Sequence, residues 1–148
     1  MILQTATAGC NTSQGSIEVS PVGGTAPYEF KIGDGAFSAV NKFEGLARGD
    51  YTVVLHDATG CEVRQSVKVR SGVSFSGSVS EIIKTNCAVT GCHSGTQSPD
   101  FRVFRNIQSN AGQIKTLTGN KSMPQGGSLT QAEINTIACW VDDGALDN

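Results

Sequence analysis

The hydrophobic period changes once along this 148-residue chain, near residue 72, and that change limits what the chain can fold into. Upstream, SIEVS (16–20), YEFKI (28–32), YTVVLHD (51–57) and CEVRQSVKV (61–69) alternate or cluster β-branched and aromatic residues, as half-buried strands do. GGTAP (23–27), GDG (33–35), ARGD (47–50) and ATG (58–60) separate them as turns. Short strands punctuated this regularly predict a small β-sandwich. Past RSGVSFSGS (70–78), a glycine- and serine-rich connection, the spacing turns helical. Ser78 and Glu81 stand at capping-box distance ahead of Ile82 and Ile83, which predicts a short helix running into Asn86. Thr130 and Glu133 repeat that signature. Behind them Ile134, Ile137, Ala138 and Val141 fall at i, i+3, i+4 and i+7, an amphipathic helix ended by Gly144. Between the helices lie roughly 35 loop-rich residues of the kind that normally organise around something. This half is expected to bury little apolar surface by itself and to need a prosthetic group. The chain therefore divides, on its sequence, into domains 1–72 and 73–148.

The second half contains TNCAVTGCHSG (85–95), which crowds Cys87, Cys92 and His93 together in a chain with five cysteines and two histidines. Three chemistries fit such a cluster. Zinc needs four ligands, so adjacent residues 92 and 93 would both have to bind, with Cys139 or His56 completing the set. A disulfide, for instance Cys87 to Cys139, would tie the two predicted helices together. The third is haem, because a Cys-x-x-Cys-His run marks c-type attachment, with two thioethers and an axial histidine. Here the run is a CxxxxCH variant whose spacer is Ala88-Val89-Thr90-Gly91. Gly91 tolerates positive φ, which lets the extra residues loop out before Cys92.

An iron held by His93 calls for a further ligand, and the chain offers Met1, Met123 and His56. Met123 stands in KSMPQGG (121–127), a polar, glycine-rich loop with no core for a methionine to fill. His56 ends the strand YTVVLHD and would have to bring the whole first domain with it. Met123 shares its half of the chain with His93, so its loop closes at lower entropic cost.

Composition removes several other functions. The net charge is −2, with lysines and arginines scattered and no long basic run, so nucleic acid is not an expected partner. With 18 glycines and 16% charged residues the chain reads as turn-rich, not disordered. No stretch approaches the roughly 18 apolar residues of a membrane-spanning helix. MILQTATAG (1–9) lacks the charged start and apolar core of a signal peptide, and TAGC lacks the hydrophobic segment that would precede lipoprotein cleavage at Cys10. The chain is expected to be a mature or excised piece.

Two resemblances sharpen the reading. GGTAPYEFKIGDGAF followed by FEGLARGDYTVVLHDATGC resembles the immunoglobulin-like repeats of gliding-motility adhesins and related bacterial surface proteins, over about residues 8–70. That likeness implies an extracellular spacer or adhesive module in which Cys10 and Cys61 pair. Such a bridge would stabilise a small secreted sandwich by about 3–4 kcal/mol. The leading helix ending in TNCAVTGCH, the loop SMP and the closing LTQAEINTIACWVDDGALDN together resemble small class I cytochrome c domains of bacterial secreted and surface proteins. This likeness implies His93/Met123 ligation and leading and closing helices crossing beside the haem, with Trp140 at their contact. Cys139 has no place in that pattern and, lying off the Ile134–Ile137–Val141 stripe, is expected as a partly exposed thiol.

The expected fold class is an all-β immunoglobulin-like sandwich followed by a mainly α cytochrome c fold. The expected function is one-electron transfer by a single covalent haem c bound through Cys87, Cys92, His93 and Met123. Phe101, Val103, Phe104, Ile107, Ile114, Leu117, Leu129 and Trp140 are the candidates to wall the haem. With both axial positions filled, the iron has no place for a substrate, so the chain is expected not to be an enzyme. Expected partners are a redox protein or another copy of the chain in an assembly, outside the cytoplasm. The alternative is a surface adhesion or structural module whose second half is a disulfide- or zinc-stapled cap.

Overall fold

The computed structural model describes residues 1–95 and 97–148, and its contacts divide them into two compact units, Met1–Ser71 and Gly72–Asn148. The first unit holds six strands: β1 (Ile2–Ala6), β2 (Gly15–Ser20), β3 (Glu29–Ile32), β4 (Lys42–Leu46), β5 (Gly49–His56) and β6 (Glu62–Val69). They form two three-stranded antiparallel sheets, ordered β1-β2-β4 and β3-β5-β6. Alternation decides which side chains go inside. Ile17 and Val19 of β2 point inward, and they join Phe30, Val53, Leu55 and Val69 from the other sheet in one core.

The β5–β6 corner is built around one carboxylate. Asp57 Oδ1 accepts from the Thr59 hydroxyl (2.6 Å), the Thr59 N–H (2.9 Å) and the Cys61 N–H (3.0 Å), while Oδ2 accepts from the Thr25 N–H (3.1 Å). These donors, the Thr59 hydroxyl foremost, favour the charged form and hold its pKa down at about 2. A depressed carboxylate stabilises the fold above its unfolded pKa and loses that effect as pH falls toward the folded value. Acid titration should therefore loosen this corner between about pH 4 and pH 2. Asp57→Ala should lower the thermal midpoint of the first unit at neutral pH and flatten its acid response, read by circular dichroism. An unchanged acid profile would count against the role given to this carboxylate.

The second unit begins with a wide π-helical turn, Phe75–Val79, which runs into α1 (Ser80–Asn86). Three further α-helices follow among the described residues: α2 (Phe104–Ser109), α3 (Ala111–Gly119) and α4 (Gln131–Asp142). The capping box expected at Ser78–Glu81 does not form, because Ser74 caps the wide turn instead, its hydroxyl accepting from the Gly77 N–H. The Thr130–Glu133 box forms in full: Thr130 Oγ1 accepts from the Glu133 N–H, and Glu133 Oε2 accepts from the Thr130 N–H. Gly144, at φ 108°, ends α4.

This unit builds a core from its own residues: Val79, Ile83, Phe101, Ile107, Ile114, Ile137 and Trp140 are all buried. Trp140 is fully enclosed, its indole N–H donating to the Leu146 carbonyl (2.8 Å), its ring beside Phe75 (5.5 Å) and Phe104 (6.5 Å). The expectation that this half buries little apolar surface by itself is thereby corrected.

The expected fold class is corrected as well. The chain is mixed α/β, with two three-stranded sheets and, among the described residues, four α-helices. Six strands replace the seven or more of an immunoglobulin sandwich. Fewer than half of residues 72–148 are α-helical, which is not a mainly α cytochrome c fold. The reason lies in the punctuation: Gly95, Pro99, Asn110, Gly119 and Pro124 stop regular structure every few residues, so α2 and α3 stay short. No described helix is long and apolar enough to cross a membrane.

Candidate functional site

The site begins where α1 stops. Cys87 is the C-cap residue of α1, its N–H donating to Ile83 O (2.9 Å), and the Ala88 N–H reaches the same carbonyl (2.8 Å). The chain then loops. The Cys92 N–H donates to Val89 O (3.0 Å), and the His93 N–H returns to Cys87 O (3.1 Å). The four-residue spacer thus closes on itself and sets His93 back beside the first cysteine. Gly91 makes the turn possible at φ 83°, a left-handed conformation that costs a side chain energy; space is not the constraint, since a Cβ there would touch nothing.

His93 is held from two directions. Its Nδ1 lies 2.9 Å from the Pro99 carbonyl oxygen, and its ring stacks at 4.4 Å on Phe101, whose N–H donates to His93 O (2.8 Å). A carbonyl oxygen only accepts, so the bond places the ring hydrogen on Nδ1 and leaves the Nε2 lone pair available to a metal. Met123 arrives from the far end of α3, where Leu117 O accepts from the Ser122 N–H (2.9 Å) and the Met123 N–H (3.1 Å).

These elements surround one cleft, with a cavity of about 270 Å³. Cys87, Cys92, His93 and Met123 all line it, together with Phe101, Ile114, Leu117 and the amides of Asn86, Asn110 and Gln113. Among the described residues, no lining side chain is ionisable apart from the two thiols and the imidazole. The four residues singled out as cofactor ligands are therefore brought together. The wall is only partly as expected. Phe101, Ile114 and Leu117 face the cleft, whereas Phe104 and Trp140 stack with Phe75 in the core, Ile107 is buried there, Leu129 packs at its margin and Val103 is exposed. The sequence reading missed Pro99, whose turn signal, Ser-Pro-Asp at 98–100, was visible. His56 stands in the first unit with Nδ1 3.7 Å from Glu29 Oε2 and its ring 5.4 Å from Phe37.

Burial, with a smaller contribution from Cys92, pushes the Cys87 thiol up to about 11. At neutral pH it is a protonated thiol. Among the described residues, no three His, Cys, Asp or Glu side chains converge as ligands of a metal ion would. In the haem-free chain iodoacetamide should alkylate Cys87 about a hundredfold more slowly than an ordinary thiol at neutral pH, because raising its pKa from 9.0 to about 11 removes that much thiolate. Mass mapping after a timed pulse measures this, and a Cys87 as reactive as the exposed free thiol of Cys61 would contradict it.

The cysteine pairing differs from the expectation. Cys61 is an exposed free thiol, so the Cys10–Cys61 bridge does not form; the disulfide-bonded residues are Cys10 and Cys139. Cys139 is fully buried and disulfide-bonded, not the partly exposed thiol expected.

The donor set fits a covalent haem: two thiols for thioethers, an imidazole with Nε2 available, a thioether on the same cleft, and an uncharged, partly aromatic wall suited to a flat apolar ring. No protein-family model, no curated protein and no solved structure matches this chain.

Proposed function

We propose that residues 72–148 carry one covalently attached haem c and that the protein transfers electrons singly, with residues 1–71 serving as a spacer. The observation that carries this reading is the convergence of Cys87, Cys92, His93 and Met123 on one cleft, with His93 Nδ1 already engaged by Pro99. When bound, the haem would supply the one-electron Fe(III)/Fe(II) couple. The chain's residues do the rest. The thiols of Cys87 and Cys92 would hold the ring covalently, His93 would present Nε2, and Met123 would offer a soft sulfur that favours Fe(II). Phe101, Ile114 and Leu117 give the cavity an apolar wall. With His93 and Met123 both engaged by it, the metal would have no place for a substrate. Covalent haem attachment and a disulfide both belong outside the cytoplasm, which supports a periplasmic or surface location and a redox protein or a second copy as partner.

The test is expression in a host that attaches c-type haem. The product should be red, and its colour should survive acid–acetone extraction. A colourless chain whose Cys87 and Cys92 thiols both remain alkylatable would favour the stapled-cap module instead. Met123→Ala should abolish the weak red-edge absorbance of an iron(III)–methionine bond, lower the reduction potential and turn carbon monoxide binding from negligible to stoichiometric. His56→Ala should change none of these. Loss of that absorbance in His56→Ala and its survival in Met123→Ala would reverse the ligand assignment.

A further inference from the structure

The carbonyl that engages His93 belongs to Pro99, and the next residue anchors it. The Asp100 carboxylate accepts from the Arg102 N–H (3.0 Å), Nε (3.0 and 3.2 Å) and Nη2 (2.7 Å), and the Asp100 carbonyl accepts from Asn106 Nδ2 (2.9 Å). The guanidinium lies over the main chain of Gly95, two residues past His93. Gly95 has φ 96°, and a Cβ built there would collide with Arg102 Nη2. The fork therefore lies close to Gly95 on one side and holds Asp100, the residue after Pro99, on the other.

Stability does not explain this arrangement. The Arg102 side chain is 61% exposed, and exposed ion pairs add little to folding. A two-toothed guanidinium–carboxylate contact does fix geometry, more than a lysine could. The geometry it fixes is that of Asp100, whose peptide bond with Pro99 carries the oxygen on His93 Nδ1. The neutral histidine side chain in water prefers its hydrogen on Nε2, which would block coordination from that nitrogen. A carbonyl held against Nδ1 reverses the preference.

We infer that Asp100 and Arg102 are positioning residues, whose fork over Gly95 holds the Pro99 carbonyl on His93 Nδ1 and so keeps Nε2 free to bind a metal. The inference rests on the reading of His93 as an iron ligand, but its test needs no haem. Two-bond proton–nitrogen spectra of the haem-free full chain, at a pH where imidazole is neutral, report the tautomer of each ring, with His56 as the internal reference. Wild-type His93 should be the Nδ1–H form. Arg102→Lys, which keeps the charge and loses the fork, and Asp100→Asn should each raise the Nε2–H fraction of His93 several-fold, with His56 and helical circular dichroism unchanged. Should Asp100→Asn fail to fold, Arg102→Lys at an exposed position decides. A wild-type His93 in the Nε2–H form, or folded variants with the wild-type tautomer ratio, overturns the inference while leaving haem attachment untouched. A chain that shows the expected tautomers yet takes no haem removes the proposed function and keeps the positioning device. In haem-loaded protein the same variants should raise the reduction potential, because a weaker bond at Nδ1 makes His93 a poorer donor to Fe(III).

Discussion

In the Cys87→Ala/Cys92→Ala double variant, covalently held haem is expected to fall to background. Denaturing electrophoresis with haem staining and intact mass both measure it. Each single variant should keep one thioether, and with it a haem that stays on the chain but is lost more readily under oxidation or heat. The helices should survive in all three variants, because Cys87 is one small member of a core that also holds Ile83, Ile107, Ile114, Ile137 and Trp140. Cys87 is buried at the end of α1, so its truncation leaves a small cavity and costs about 1 kcal/mol, well short of unfolding the unit. A double variant that still carries stained haem after denaturation would place the attachment elsewhere.

Trp140→Ala is expected to have the largest effect on stability, a loss of about 3–5 kcal/mol. The side chain is 1% exposed and packs against two other aromatic rings. Removing it empties the centre of the second unit and leaves the Leu146 carbonyl without its donor. For a unit this small, each kcal/mol moves the melting temperature by roughly 4–8 °C, so the variant should melt tens of degrees lower or fail to fold. Trp140→Phe separates the two contributions. It restores most of the volume, loses the N–H bond and should cost only about 1 kcal/mol more than the volume change alone. Thermal melts followed at helical wavelengths decide. If Trp140→Ala melts like the wild type, the aromatic cluster does not organise this unit.

The sequence was most legible where one side-chain pattern decided the outcome. The alternation in SIEVS, YEFKI and YTVVLHD marks β2, β3 and β5 because a strand exposes its period directly. β1 and β4 escaped. ILQTA is mostly exposed, and KFEGL carries Gly45 at φ 71°, so neither shows a clean two-residue period. α2 and α3 were hidden for a related reason: each is short, has no side-chain cap, and buries few residues. At the site, Cys87, Cys92, His93 and Met123 could be named because few other residues carry that chemistry. Pro99 could not, because its contribution is a main-chain oxygen whose placement depends on the loop's path. The partner of Cys10 was misjudged because the choice rested on likeness to a repeat pattern, and pairing depends on three-dimensional proximity that spacing does not encode.

The hydrogen bond from the His93 N–H to Cys87 O also bears on how fast a ligand can be captured. Fixing a backbone residue costs roughly 1–2 kcal/mol of conformational entropy, and a loop that orders only on binding meets that cost at the moment of encounter. The turn from Cys87 to His93 is already closed by its own main-chain bonds, so the chain meets the cost during folding. Capture by this loop should then follow a single phase proportional to ligand concentration, with no slower step set by the loop rearranging around its guest.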